Sequence, residues 1–216
     1  MSLEQLSKKV EEFKSYILGA HKDHVHVAIN PQTSMLSSFF EPHSHTVVIG
    51  ARELLEGSAD KDEEAKKISS FFTVLGHELG HAKRHLEGKI SSYLYPLGTM
   101  VQAGLSVYDL ISHYKKVHLG NEHYWHILAS LLASTPTWWE EFRAHKDVQE
   151  KVNNFLINRM NNKYGYNASL RNAALSTYLF GYSFYPLTDF VMNILLPEHI
   201  DKISNILTNF GKAPSG

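Results

Sequence analysis

The sequence predicts a predominantly α-helical α+β fold, and three observations lead there. Apolar residues recur at steps of three and four through several long segments, the spacing of one helical face. Only two short stretches, both near the N-terminus, alternate apolar and polar residues as half-buried strands do. The 216 residues are 43% hydrophobic, enough to bury a core in a single domain spanning 1–216.

Each element follows from local pattern. Leu3, Leu6, Val10, Phe13 and Ile17 predict an amphipathic helix over 2–18, stopped at Gly19. Val25, Val27 and Ile29 alternate with His24, His26 and Ala28, which predicts a strand ending at Asn30-Pro31. Residues 31–44 read as a loop with two exposed aromatics, Phe39 and Phe40, and residues 45–50 as a second strand. A short helix through Leu54 and Leu55 stops near Gly57. Asp60 as N-cap, with Glu63 at the third helical position in a variant of the capping box, opens the clearest helix of the chain. Its buried stripe is Ala65, Ile68, Phe72, Leu75, Leu79, Ala82 and Leu86, and Gly88 ends it. Two further helices fall at 96–114 and 121–134, and Thr135-Pro136 or Thr137 opens another that runs to Met160. The segment from Asn161 to Asn167 is turn-rich, two or three helices complete the chain, and 211–216 is a frayed tail. The domain thus divides into an N-terminal helix and small sheet (1–60), core helices (61–160) and C-terminal helices (161–210).

Composition removes several classes of function. The formal net charge is −1 with both signs interleaved, so no basic stripe invites nucleic acid. The absence of cysteine excludes disulfides, thiolate metal sites and cysteine catalysis, and fits a reducing cytosol. Glu4, Glu11 and Glu12 interrupt the apolar positions of the first helix, so a secretory leader is not expected and a cytoplasmic location is. The stretches from Tyr93 to Ile111 and from Ala173 to Pro197 carry little charge. Pro96, Gly98 and Gly104 interrupt the first and Gly181 and Pro186 the second, so both read as buried core helices and leave membrane-surface association open.

The chemistry concentrates in His77-Glu78-Leu79-Gly80-His81, late in the clearest helix. The pattern H-E-x-x-H places two imidazoles one turn apart on one face, able to bind one zinc ion, with the glutamate poised as general base. At the advance of about 100° per residue, both histidines lie roughly opposite Leu79. The helix therefore packs on one side and presents its histidines on the other. Given 14 histidines in the chain, about 0.06 such matches are expected by chance. A catalytic zinc needs a third protein ligand. His85 lies one more turn along the same helix, too far to complete a tetrahedron. The better source is Trp138-Trp139-Glu140-Glu141-Phe142-Arg143-Ala144, where two acids compete. Glu141 shares a helical face with Ala144, Val148, Val152 and Phe155, and an acid on a buried stripe demands compensation such as a metal. Glu140 shares its face with Asp147 and Lys151, which reads as solvated, and pairs with Thr137 in a second capping box. Glu141 is the preferred ligand and Glu140 the alternative. Ala144 would let two helices approach closely at the metal.

H-E-L-G-H followed by Glu141-x-x-Ala144 resembles the gluzincin zinc peptidases, and more narrowly the family of HtpX and the CAAX prenyl proteases, whose small soluble members are the minigluzincins. The resemblance covers roughly 45–155. It implies a zincin-like core, one zinc ion held by His77, His81 and Glu141, Glu78 as general base, and a metalloendopeptidase acting on peptide or protein substrates. His145 stands where that family often has Asp, Asp147 is displaced by two positions, and the family's later His-Pro element has only Tyr185-Pro186 as a counterpart.

In such an enzyme zinc activates a water, Glu78 takes its proton and passes it to the leaving amine, and an extended substrate pairs with an exposed strand. Thr46 to Ile49, just before the motif helix, is the expected edge, and His145 and Tyr185 are candidate oxyanion donors. His24 and His26, His43 and His45, and His113, His118, His123 and His126 read as surface residues. Two other classes fit the same residues: an inactive or regulatory helical protein that keeps its zinc site, and a zinc hydrolase of a non-peptide substrate.

Overall fold

A computed structural model describes residues 2–94 and 122–170, with isolated helical positions at 100, 101, 104, 105, 108 and 172. The fold is α+β and predominantly helical, with one small three-stranded sheet. The chain clusters into two compact units, Met1–Tyr95 with Pro136–Ser176, and Pro96–Thr135 with Thr177–Gly216. In the second unit, the described stretch from Glu122 onward is helical and exposes Leu128 and Leu132. The expected helix at 96–114, the low-charge stretch from Ala173, the C-terminal helices, the tail and Tyr185 lie outside the described residues, wholly or for the most part.

Helix α1 (Leu3–Leu18) begins in a capping box: the Ser2 hydroxyl accepts from the Gln5 amide, and the Gln5 side chain accepts from the Ser2 amide. It buries Leu6, Val10, Phe13 and Ile17 of the expected stripe together with Leu18, while Leu3, at its first position, is exposed. Strands β1 (His26–Asn30), β2 (Phe39–Glu41) and β3 (Thr46–Gly50) form the sheet, in the order β1-β3-β2. β1 pairs parallel to β3, from His26 opposite Thr46 to Asn30 opposite Gly50, and β2 pairs antiparallel to β3, with Phe40 opposite Val47.

Two expectations change here. The loop read over 31–44 contains a 3₁₀ turn at Met35–Ser37 and the strand β2, and Phe40 is half-buried against the core. Three residues are too few for a period-2 pattern to register. The strand expected to be an open edge, Thr46 to Ile49, is instead the centre of the sheet, and β2 is the edge on that side.

Helix α2 (Arg52–Leu55) leads into α3 (Lys61–Leu86). The Asp60 carboxylate accepts from the Asp62 amide at 2.8 Å, capping α3 as expected. The reciprocal half of the box does not form, because Glu63 is taken by Ser58 and Lys67. Helix α4 (Glu122–Asn154) continues into a π-helical turn, Phe155–Arg159. It runs unbroken through Pro136, where the sequence predicts a helix start. A mid-helix proline forfeits one backbone bond and crowds the preceding turn, at a cost of about 3 kcal/mol, yet its fixed φ is itself helical. Thr137, expected as a cap, has its hydroxyl buried with no hydrogen-bond partner among the described residues.

The core of the first unit is one cluster. Leu6, Val10, Phe13 and Ile17 of α1 meet Phe71, Phe72, Leu75 and Leu79 of α3, Val148 and Val152 of α4, Phe155 and Leu156 of the π turn, and Val47 and Ile49 of β3. At its centre Phe13, Phe72 and Phe155 have ring centroids 4.8–5.5 Å apart. This packing fixes α3 between the sheet and α4, the arrangement on which the site depends.

Candidate metal centre

Helix α3 crosses α4 at very short range. A Cβ on Gly80 would lie 2.5 Å from the Ala144 carbonyl oxygen, and one on Gly76 would lie 2.5 Å from a Val152 methyl. Only glycine fits at Gly80, because the obstacle is backbone. Ala144 is the small residue the sequence singled out at this crossing. Gly80 is its partner, hidden in a variable position of the H-E-x-x-H pattern.

That approach brings His77, His81 and Glu141 together. His77 Nε2 is 3.0 Å from one Glu141 oxygen, His81 Nε2 is 3.5 Å from the other, and the two Nε2 atoms are 3.2 Å apart. A tetrahedral ion with bonds of 2.0–2.1 Å has donor atoms about 3.3 Å apart, close to these three separations, which reach both oxygens of Glu141. His77 and Glu141 are buried and His81 nearly so. The group could hold a metal ion.

Burial works against charge on Glu141, but the imidazoles of His81 and His77 hold its carboxyl well below the usual carboxylate range. Burial likewise favours neutral His81, yet the Glu141 charge and the hydrogen bonds that Glu141 and Glu140 accept from the ring push it up to about 10. Glu78 is only 8% exposed. Burial pushes its carboxyl up, against the opposing pull of His77, His81 and the Phe40 amide of β2.

Glu140 departs from the sequence reading. It is 1% exposed rather than solvated. Arg84 Nε donates to both of its oxygens, at 3.0 and 3.1 Å, and the Ser91 hydroxyl donates to it at 2.6 Å. Arg84 also donates to Asp147 at 2.9 Å and to Ser91 at 2.9 Å. One Glu140 oxygen lies 3.5 Å from His81 Nδ1, the nitrogen turned away from the cluster. Despite its burial, the carboxyl is held below its usual range by His81, Arg84 and Ser91. Glu140 therefore orients a histidine of the cluster, as carboxylates commonly do behind metal ligands. Arg84 and Ser91 carried no recognisable signal. Asp147, two turns beyond Glu140, is exposed, as the sequence reads it, and its carboxylate still reaches Arg84.

His145 is 4% exposed and stacks on His77, with centroids 3.9 Å apart and planes 19° from parallel. The Tyr166 hydroxyl is 2.6 Å from His145 Nδ1. His85 lies outside the cluster, against Phe40, His45 and Tyr93. His24 and His26 are exposed, as read from the sequence. The side chains of His113, His118, His123 and His126 lie outside the described residues.

Compared with models of protein families, with curated proteins and with solved structures, the chain has no match. The geometry of the two motifs therefore carries the functional reading.

Proposed function

We propose that the chain is a zinc-dependent endopeptidase of the gluzincin type, with one zinc ion held by His77, His81 and Glu141. The observation that carries this reading is the meeting of His77 Nε2, His81 Nε2 and the Glu141 carboxylate from two helices at 3.0–3.5 Å, beside a buried Glu78. Two imidazoles and one carboxylate suit zinc and leave a coordination position for water, whereas structural zinc sites are closed by a fourth protein ligand. Among the described residues the cluster has three members. A buried glutamate between two ligands has no use in a structural site and a clear one in hydrolysis.

When bound, zinc lowers the pKa of a coordinated water toward neutrality and polarises a peptide carbonyl. Glu78, its proton affinity raised by burial, accepts the proton of the attacking water and delivers it to the leaving amine. Glu141 and the two imidazoles are fixed by the α3–α4 crossing, and His81 additionally by Glu140 and Arg84. An extended peptide would pair with β2, the edge whose Phe40 amide faces Glu78. In this reading the chain acts on peptides or unfolded protein.

The test is metal analysis of purified protein together with a Glu78→Gln variant assayed on an unfolded protein substrate. Wild-type protein should contain close to one zinc per chain and cleave the substrate, and a chelator should abolish cleavage. Glu78→Gln should keep the metal and lose at least about a hundredfold in rate. Normal cleavage by that variant would remove Glu78 from the chemistry, and a metal-free, inactive wild type would remove the assignment.

A further inference from the structure

We infer that His145, clamped by Tyr166, is a positioning residue that fixes the imidazole plane of His77, and this rests on the metal centre proposed above. A histidine that binds a metal through one ring nitrogen usually anchors the other on a carboxylate or carbonyl, which sets the tautomer and the ring orientation. His81 fits that pattern, with Nδ1 facing Glu140 at 3.5 Å. His77 does not: its Nδ1 is buried with no hydrogen-bond partner among the described residues. Rotation of an imidazole about its second side-chain torsion is broad, so burial of one nitrogen alone does not hold the ring.

What holds it is the face of His145, stacked at 3.9 Å and 19°. That ring is in turn bonded through Nδ1 to the Tyr166 hydroxyl at 2.6 Å. Tyr166 belongs to a strap, 162–167, tied down along one side of α3. Asn162 donates to the Ala65 carbonyl, Lys163 and Tyr164 donate to Asp62, the Ser69 hydroxyl donates to the Gly165 carbonyl, and the Asn167 amide donates to the Thr73 hydroxyl. The Tyr166 amide donates to Asn153 of α4 at 3.2 Å. Asp62, Ala65, Ser69 and Thr73 follow at steps of three and four, and the next step of four is His77 itself. The strap thus climbs the face of α3 that carries the ligand and delivers Tyr166 to the ring behind it. In this chain packing takes over the orienting task that a carboxylate would perform.

Cobalt(II) titration tests the pair, read both as affinity by chelator competition and as the visible absorption bands of the bound ion, which report ligand geometry. Tyr166→Phe keeps the ring and removes the clamp. It should weaken Co²⁺ binding about tenfold and alter the bands, and His145→Ala should weaken it by up to about a hundredfold. Tyr164→Phe loosens the same strap at Asp62 and should leave affinity and bands unchanged. Wild-type affinity and wild-type bands in both Tyr166→Phe and His145→Ala would overturn the assignment while leaving the metal centre intact. If His145→Ala does not fold, Tyr166→Phe decides alone. A wild-type protein that takes up no Co²⁺ would remove the metal centre itself, and the positioning role with it.

Discussion

Replacing Gly80 by alanine sets two effects of opposite sign against each other. As a bare helix substitution, Gly→Ala inside α3 should stabilise by about 1 kcal/mol. In this structure the new methyl would sit 2.5 Å from the Ala144 carbonyl oxygen and 3.1 Å from its carbon, where ordinary contact begins at 3.4 Å. Neither group can swing aside, so the helices must part by about 1 Å, and overpacking of this kind costs about 1–3 kcal/mol. Set against the helical gain, the net expectation runs from near neutral to a loss of about 2 kcal/mol. At about 2–4 °C per kcal/mol for a chain of this size, the midpoint of thermal unfolding should fall by up to about 8 °C. Glu141 lies one turn before Ala144, so the same displacement would widen the contacts of 3.0 and 3.5 Å between Glu141 and the histidines. Metal affinity should then fall at least about tenfold, as when supporting contacts of a site are lost. Circular dichroism melts and chelator competition read the two quantities. A variant that melts higher than wild type and binds metal equally well would refute the close crossing of α3 and α4.

Other perturbations separate the roles of the acids. Glu141→Gln should abolish stoichiometric zinc retention, whereas Glu140→Gln should weaken it about tenfold, both measured by metal analysis after dialysis; the reverse order would exchange ligand and support. Arg84→Met leaves the buried carboxylate of Glu140 without its guanidinium and should destabilise by about 3 kcal/mol, read from urea midpoints; a loss under about 0.5 kcal/mol would mean the network is not closed in solution. The Asp62 carboxyl is held well below its ordinary value of 3.8 by hydrogen bonds from Lys163, Tyr164 and Lys66. A depressed folded-state pKa stabilises above the unfolded value, so this contribution is complete above about pH 5 and is lost as pH falls below about 4. Asp62→Asn should therefore flatten the acid limb of a stability profile between about pH 5 and pH 2, and an unchanged limb would dismiss the strap contact.

Much of this was legible because it rests on period and on desolvation. Helix α1, strands β1 and β3 and helices α2 and α3 all have stripes long enough to register. Glu141 stood out because a carboxylate on the Ala144–Val148–Val152 face is costly to bury without a partner. Three kinds of feature stayed hidden. β2 is too short to show alternation, and with it went the identity of the sheet edge. Arg84 and Glu140 form a buried ion pair, with Asp147 at its exposed end, whose composition matches a wet surface, since only tertiary contact tells a paired charge from a hydrated one. Gly80 and Tyr166 matter through what faces them from elsewhere in the chain, Ala144 in one case and His145 in the other. Pro136 misled for a related reason: local preference favoured a helix start, and the surrounding helix overrode it.

The donors of the centre come from helices far apart along the chain, His77 and His81 on α3 and Glu141 on α4. An ion seated between them would act as a staple, tying together the two ends of the intervening stretch from Ala82 to Glu140. The entropy of such closure grows only logarithmically, by about 0.6 kcal/mol for each doubling of length. Changes in the length of that stretch, made away from Ala82, Arg84, Ser91 and Glu140, therefore carry little closure cost, provided its two ends return to the same crossing. The crossing that gathers the three side chains and the length of chain between its helices are free to diverge separately.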